Sequence, residues 1–90
     1  MKKRIITVVG KDSIGITAKV CVYLAENSVN ILDIAQTIVG GYFNMMMGVD
    51  IQESSKSTEI IANELKEIGD EIGVQIKVQH EKIFETMHRI

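Results

Sequence analysis

Ile31-Leu32-Asp33-Ile34-Ala35-Gln36-Thr37-Ile38-Val39, then Gly40-Gly41, then Tyr42-Phe43-Asn44-Met45-Met46-Met47-Gly48-Val49-Asp50-Ile51 is the stretch whose reading decides the fold. Two apolar, β-branched runs separated by two glycines predict a hairpin, because both central positions of a tight turn can take positive φ when they are glycine. Pairing Val39 with Tyr42 sets the rest of the ladder. Ile38 then faces Phe43, Ile34 faces Met47 and Leu32 faces Val49 on one side, while Thr37 faces Asn44, Ala35 faces Met46 and Asp33 faces Gly48 on the other. One side is apolar and the other mixed, with Gln36 opposite Met45 as the misfit. A one-residue slip would scramble this separation. The three consecutive methionines alternate across the strand, so two of them are expected in the core and one on the open face.

Working outward toward the N-terminus, residues 5–9 form an apolar, β-branched run of strand length before Gly10. Such a run predicts a central strand buried on both faces. Asp12 and Ser13 offer N-cap oxygens, and Ile16, Val20, Tyr23 and Leu24 recur at helical spacing until Asn27 and Ser28 break the pattern. On the other side of the hairpin, residues 53–57 are a polar, serine-rich turn. Ile61, Leu65, Ile68 and Ile72 follow at spacings of four, three and four, with Gly73 placed to end the helix. Val74, Ile76 and Val78 alternate with Gln75, Lys77 and Gln79, which predicts an edge strand with one wet face. Ile83, Phe84, Met87 and Ile90 again repeat at helical spacing and predict a short third helix over residues 81–90.

The resulting fold class is α+β: a ferredoxin-like βαββαβ sandwich over residues 4–79, with a four-stranded antiparallel sheet, two helices on one face and a C-terminal helical tail. Ninety residues suit a single domain, with no repeat, proline or low-complexity linker to divide them. Two helices cover only one face of the sheet. Since the first strand is apolar on both sides, the tail helix or another subunit is expected over the second face. A domain of this size buries a shallow core, so association into a homodimer is also expected.

Composition narrows the function. With 46% hydrophobic and 24% charged residues the chain reads as globular rather than disordered. The net charge of −2 and the scarcity of aromatic residues, two Phe and two Tyr, argue against nucleic acid. The RNA-recognition topology is the same, but Tyr42-Phe43-Asn44-Met45-Met46-Met47-Gly48 replaces its basic and aromatic strand. Met1-Lys2-Lys3-Arg4 is followed by too short an apolar run for a signal peptide, and no run approaches membrane-spanning length. One cysteine makes no intrachain disulfide. A cytoplasmic protein without membrane contact is expected.

Chemistry concentrates in Gly10-Lys11-Asp12-Ser13-Ile14-Gly15-Ile16, a glycine-bracketed loop that leaves the first strand and opens the first helix. The N–H groups at a helix start are unpaired and carry partial positive charge, so a carboxylate or phosphate suits them. The glycine spacing hints at a phosphate loop, but Ile16 and Thr17 stand where lysine and a hydroxyl residue would be needed. The alternative is local: Gly10 makes a turn and Asp12 or Ser13 caps the helix. Cys21 fits the apolar stripe of the same helix. If the tail is helical, His80 and His88 are separated by about 12 Å of axial rise, too far to share a metal directly, and Glu81, Glu85 and His88 would suit a solvated face. No metal, cofactor or catalytic residue is assigned. An acylphosphatase-like hydrolase would need an arginine in a glycine-rich loop, and Arg4 and Arg89 occupy no such place.

The order Gly-x-Asp-x-x-Gly-Ile, an amphipathic helix, then Val29-Asn30-Ile31-Leu32 and a hairpin resembles the ACT domain family from Arg4 to about Gln79. The ending Ile83-Phe84-Glu85-Thr86-Met87-His88-Arg89-Ile90 is similar to small stand-alone members of the glycine cleavage system repressor type. The resemblance implies a non-catalytic regulatory domain that binds an amino acid or similar metabolite. It also implies side-by-side dimers through strand two and helix one, and a regulated enzyme or transcription regulator as partner. Carried over by position, the ligand contacts are Asp12, Ser13, Ile14, Gly15, Ile16, Asn30 and Ile31. Asn30 also reads simply as the turn into strand two. Ile14 stands where the family usually has proline, and Ser28 where it usually has glycine. A ligand-free interaction and dimerisation module is the alternative function.

Overall fold

In the computed structural model, which describes residues 1–80, the elements are β1 (Lys3–Lys11), α1 (Ile16–Glu26), β2 (Asn30–Val39), β3 (Tyr42–Asp50), α2 (Thr58–Ile72) and β4 (Val74–His80). They form one antiparallel sheet in the order β2-β3-β1-β4. This is the ferredoxin-like arrangement expected from the sequence. The third helix expected over residues 81–90 lies outside the described residues.

The hairpin closes on Gly40 and Gly41 at φ 58° and 81°, and Val39 pairs with Tyr42 as the turn chemistry requires. The register runs as expected down to Asp33 opposite Gly48, and there it departs. A bulge lets Ile31, not Leu32, face Val49. The Asp33 carboxylate accepts the Gly48 N–H at 2.9 Å, occupying the space a Cβ on residue 48 would need. A side-chain acceptor thus steps into a ladder that the bulge interrupts.

The core lies between the sheet and the helices. Ile6 and Val8 from β1, Phe43, Met45, Met47 and Val49 from β3, and Val74 and Ile76 from β4 meet Ile16, Val20 and Leu24 of α1 and Ile61 and Leu65 of α2. Met46 is the methionine left on the opposite face.

β1 is central, but burial on both sides, expected from its apolar run, is not what the described residues provide. Ile6 and Val8 are buried, whereas Ile5 and Thr7 are half-buried and Val9 is 46% exposed. The reason is architectural: α1 and α2 share one face. The strand also continues through Gly10, which pairs with Phe43 and Val74. Gly10 is therefore no turn residue. A Cβ there would sit 2.8 Å from Val74 Cγ1, so its role is close strand packing.

The helix ends differ from each other. The Ser57 hydroxyl accepts the Ile60 N–H at the start of α2, which closes at Gly73. α1 starts at Gly15, φ 87°, without a side-chain cap, so Asp12 and Ser13 do not perform the capping expected of them. At its other end the Ser28 N–H donates to the Ala25 carbonyl and the Val29 N–H to the Leu24 carbonyl, with Val29 and Leu24 both buried. This is a Schellman closure, and it requires a left-handed residue at its turn. Ser28 supplies it at φ 57°, which accounts for the glycine usual at this place.

Candidate ligand-binding site

β1 delivers the loop 12–15 to the end of the sheet where the hairpin turns. There the Asp12 N–H donates to the Gly41 carbonyl at 2.8 Å, fixing the loop to the turn. Asp12, Ser13, Ile14 and Gly15 are exposed, while Ile16 is buried and anchors the helix that follows. No side chain bonds the first-turn N–H groups of α1 as a cap, and no acidic residue lies in that turn. Positive potential at this helix start is uncompensated, in contrast to α2, which has both Ser57 and Glu59. The arrangement can accept an anionic group.

Asn30 and Ile31 are elsewhere. Asn30 pairs with Asp50, which in turn pairs with Lys3, whereas the loop follows Lys11, which pairs with Tyr42. The two parts are separated by about 27 Å, the length of β3 between Tyr42 and Asp50 at roughly 3.4 Å per residue. Within one chain the seven residues therefore form two clusters at opposite ends of the sheet, Asp12 to Ile16 at one and Asn30 with Ile31 at the other. Asn30 is exposed and Ile31 half-buried.

Gln36, the misfit of the hairpin pattern, has a partner that pattern reading missed. The Thr17 hydroxyl donates to its Oε1 at 3.4 Å, joining the first turn of α1 to β2. A polar residue opposite Met45 on an otherwise apolar side was the available signal.

β2 is an edge strand, and its apolar residues are wet. Ile34 and Ile38, on the helix side of the sheet, are 47% and 56% exposed, and Val22 on α1 is also exposed. Edge strands of this kind pair readily with another chain. Between the helices, Ala18, Val22, Tyr23 and Ile68 line a shallow groove together with Lys19, Glu26 and Glu71.

Other polar groups are engaged in holding the fold. The Arg4 guanidinium donates to the Thr58 hydroxyl and the Lys3 carbonyl, which ties it to the start of α2. Tyr23 donates its hydroxyl to Glu64 at 2.7 Å, and Lys56 pairs with the same carboxylate at 2.6 Å while lying over the Tyr23 ring. The Lys56 hydrogen bond, then the one from Tyr23, holds the Glu64 carboxyl below its ordinary range. Burial, followed by the bond to Glu64, raises the Tyr23 phenol well above its own. Cys21 is half-buried against the core. Among the described residues no helix is long and apolar enough to cross a membrane.

A βαββαβ sandwich with an uncapped helix start beside the hairpin and an apolar open edge among its described residues defines a ferredoxin-like domain. A family model described as ACT domain matches residues 3–79. The UPF0237 protein of Bifidobacterium longum is 54% identical over the whole of both chains. The ACT domain protein from Streptococcus pneumoniae superposes with a TM-score of 0.81 at 42% identity, covering 93% of this chain and 94% of that one. The ligand-free regulatory subunit of aspartate kinase from Thermus thermophilus gives 0.67 at 25% identity, over 87% of this chain and 50% of that chain. The chain belongs to the ACT domain family, whose members are regulatory, small-molecule-binding and generally non-catalytic.

Proposed function

We propose that this ACT domain dimerises through β2 and α1 and holds an amino acid, or a metabolite of that class, between the loop 12–16 of one copy and Asn30 of the other. The dimer then modulates an enzyme or a transcription regulator. The observation that carries this reading is the separation of the two residue clusters in a chain whose edge strand is apolar and open. A two-fold axis near the middle of β2 sets Asn30 of one copy opposite Val39 of the other in an antiparallel pair. Val39 leads into Gly40 and Gly41, and the Gly41 carbonyl holds Asp12. Pairing of β2 with β2 thus joins the clusters that one chain keeps apart.

In this site the start of α1 takes the ligand carboxylate, while the Asp12 carboxylate and the Asn30 amide oxygen accept from its ammonium group. Thermal-shift measurements across the amino acids test the reading, repeated with Asp12→Ala and Asn30→Ala. Stabilisation by one ligand class, lost in both variants, is the expected result. Stabilisation by none would sink the sensor reading and leave a dimerisation module.

A further inference from the structure

The start of β1, the turn after β3, the start of α2 and the end of β4 meet at one corner of the molecule around a concavity of about 280 Å³. Buried Ile51 lies beneath it, and Lys2, Arg4 and His80 line it together with the hydroxyl residues Ser54, Ser57 and Thr58. Arg4 pairs with His80 across the two strands and alternates with buried Ile6, so both side chains point to the helix side of the sheet. Three basic residues are thus gathered in a chain that has 12 acidic residues against 10 Lys and Arg. Among the described residues no carboxylate bonds to the side chain of any of the three. Glu59 also lines the concavity but is exposed and bonded to none of them, and Lys56 is already paired with Glu64. Like-charged side chains on one face of a sheet oppose folding, a cost that an entering anion offsets.

We propose that this corner binds a phosphate group, with Arg4 as its principal contact and Lys2 and His80 beside it. The Arg4 guanidinium is fixed in advance: Nε donates to the Thr58 hydroxyl at 3.0 Å and Nη1 to the Lys3 carbonyl at 2.9 Å. Three of the five N–H groups of an arginine remain after these two bonds, in a planar fork that matches two phosphate oxygens. The hydroxyl oxygens of Ser54, Ser57 and Thr58 each accept a bond, from the Lys56 N–H, the Ile60 N–H and Arg4 in turn, which leaves their own protons to donate. Donors from several directions suit a group whose three oxygens all accept, and a carboxylate would leave more of them idle.

The first turn of α2 is not what holds the anion, since the Ser57 hydroxyl already occupies the Ile60 N–H. The site is made by side chains. It lies at the opposite end of β1 from the loop 12–16, and the inference is independent of whether an amino acid binds there.

Nuclear magnetic resonance of the full chain, titrated at constant ionic strength with inorganic phosphate and separately with glycerol 3-phosphate, tests it. Saturable shifts are expected at the Arg4 Nε–H and at the amides of Lys2, Thr58 and Glu59. Equal affinity for the two probes identifies the free anion as the ligand, and tighter binding of the ester identifies a phosphorylated metabolite. Arg4→Lys keeps the charge and loses the fork, and should weaken binding roughly tenfold. Lys2→Gln, at an exposed position, should weaken it roughly threefold with the circular dichroism unchanged. Should Arg4→Lys unfold through loss of its bond to Thr58, Lys2→Gln and His80→Gln decide between them. No saturable shift up to about 10 mM of either probe would overturn the proposal. So would affinities that Lys2→Gln and His80→Gln leave unaltered, or shifts confined to the loop 12–16.

Discussion

The two edges of the sheet are built from similar residues and end in opposite states. β4 sends Val74 and Ile76 inward, each 6% exposed, under a fifteen-residue α2. The helix approaches closely because Gly69 is buried against the strand: a Cβ there would lie 2.6 Å from the Val74 carbonyl oxygen. β2 sends Ile34 and Ile38 to the same side of the sheet, yet the eleven-residue α1 leaves both about half exposed. Among the described residues one edge is complete, while the other carries apolar surface that they leave in water. The caps follow the same division, since α2 is closed by its own serine and α1 starts on an unaided glycine. On the proposed reading, stability and recognition belong to different halves of a small domain.

The contrast can be tested most severely by making the same deletion on both sides. Leu65→Ala, at a fully buried position of α2, is expected to cost about 3 kcal/mol in urea unfolding. Ile34→Ala should cost less than about 1 kcal/mol when measured at a concentration low enough to keep the chain monomeric. Equal losses would show that β2 is already covered.

Placing charge on the open edge comes next. Ile38→Asp should raise the dimer dissociation constant at least roughly tenfold, the equivalent of about 1.4 kcal/mol, in sedimentation equilibrium. The far-ultraviolet circular dichroism should be unchanged. An unaltered association constant would move the interface away from β2.

A smaller effect of opposite sign is expected where α1 turns into β2. Ser28→Gly relieves a left-handed backbone at some cost in chain entropy, for a net gain of about 0.5–1 kcal/mol and a Tm raised by about 2–6 °C. No gain would mean that Ser28 repays its strain by other contacts.

The smallest effect concerns the contact between the halves. Glu64 has a lowered pKa in the folded chain because Lys56 and Tyr23 donate to it. Its contribution is therefore present above the unfolded carboxyl value of about 4.3 and is lost as pH falls through the lower folded value. Glu64→Gln should reduce the drop in Tm between about pH 6 and pH 3. Some drop remains, because Asp50, accepting the N–H groups of Gln52 and Lys2, is lowered in the same direction.

Much of this organisation was legible in local sequence. Gly40-Gly41 identified the turn, and the alternation around it placed Phe43, Met45 and Met47 inside and Met46 outside. The spacing of Ile61, Leu65, Ile68 and Ile72 identified α2 and its inward face. What escaped was of two kinds. The bulge at Leu32 was hidden because its compensation, Asp33 accepting from Gly48, is a side-chain choice that strand periodicity does not encode. The start of α1 was misread for a related reason: Asp12 and Ser13 have the right chemistry for a cap, but the backbone enters the helix later, at Gly15. The candidate site was legible only as residue types. That Asp12 and Asn30 stand at opposite ends of one sheet follows from the antiparallel course of β1 and β2 about β3, which neither short stretch contains.

The sequence by itself determined the elements, their order and the faces they bury, since these depend on periodicities of two and 3.6 residues and on where glycine permits a turn. The tertiary structure decided which edge is covered. α1 and α2 are both amphipathic in sequence, and only their placement on the sheet shows that α2 lies on β4 while β2 extends beyond the cover of α1. Apolar residues state a demand for burial, but whether that demand is met inside the chain or by a neighbour is a matter of geometry.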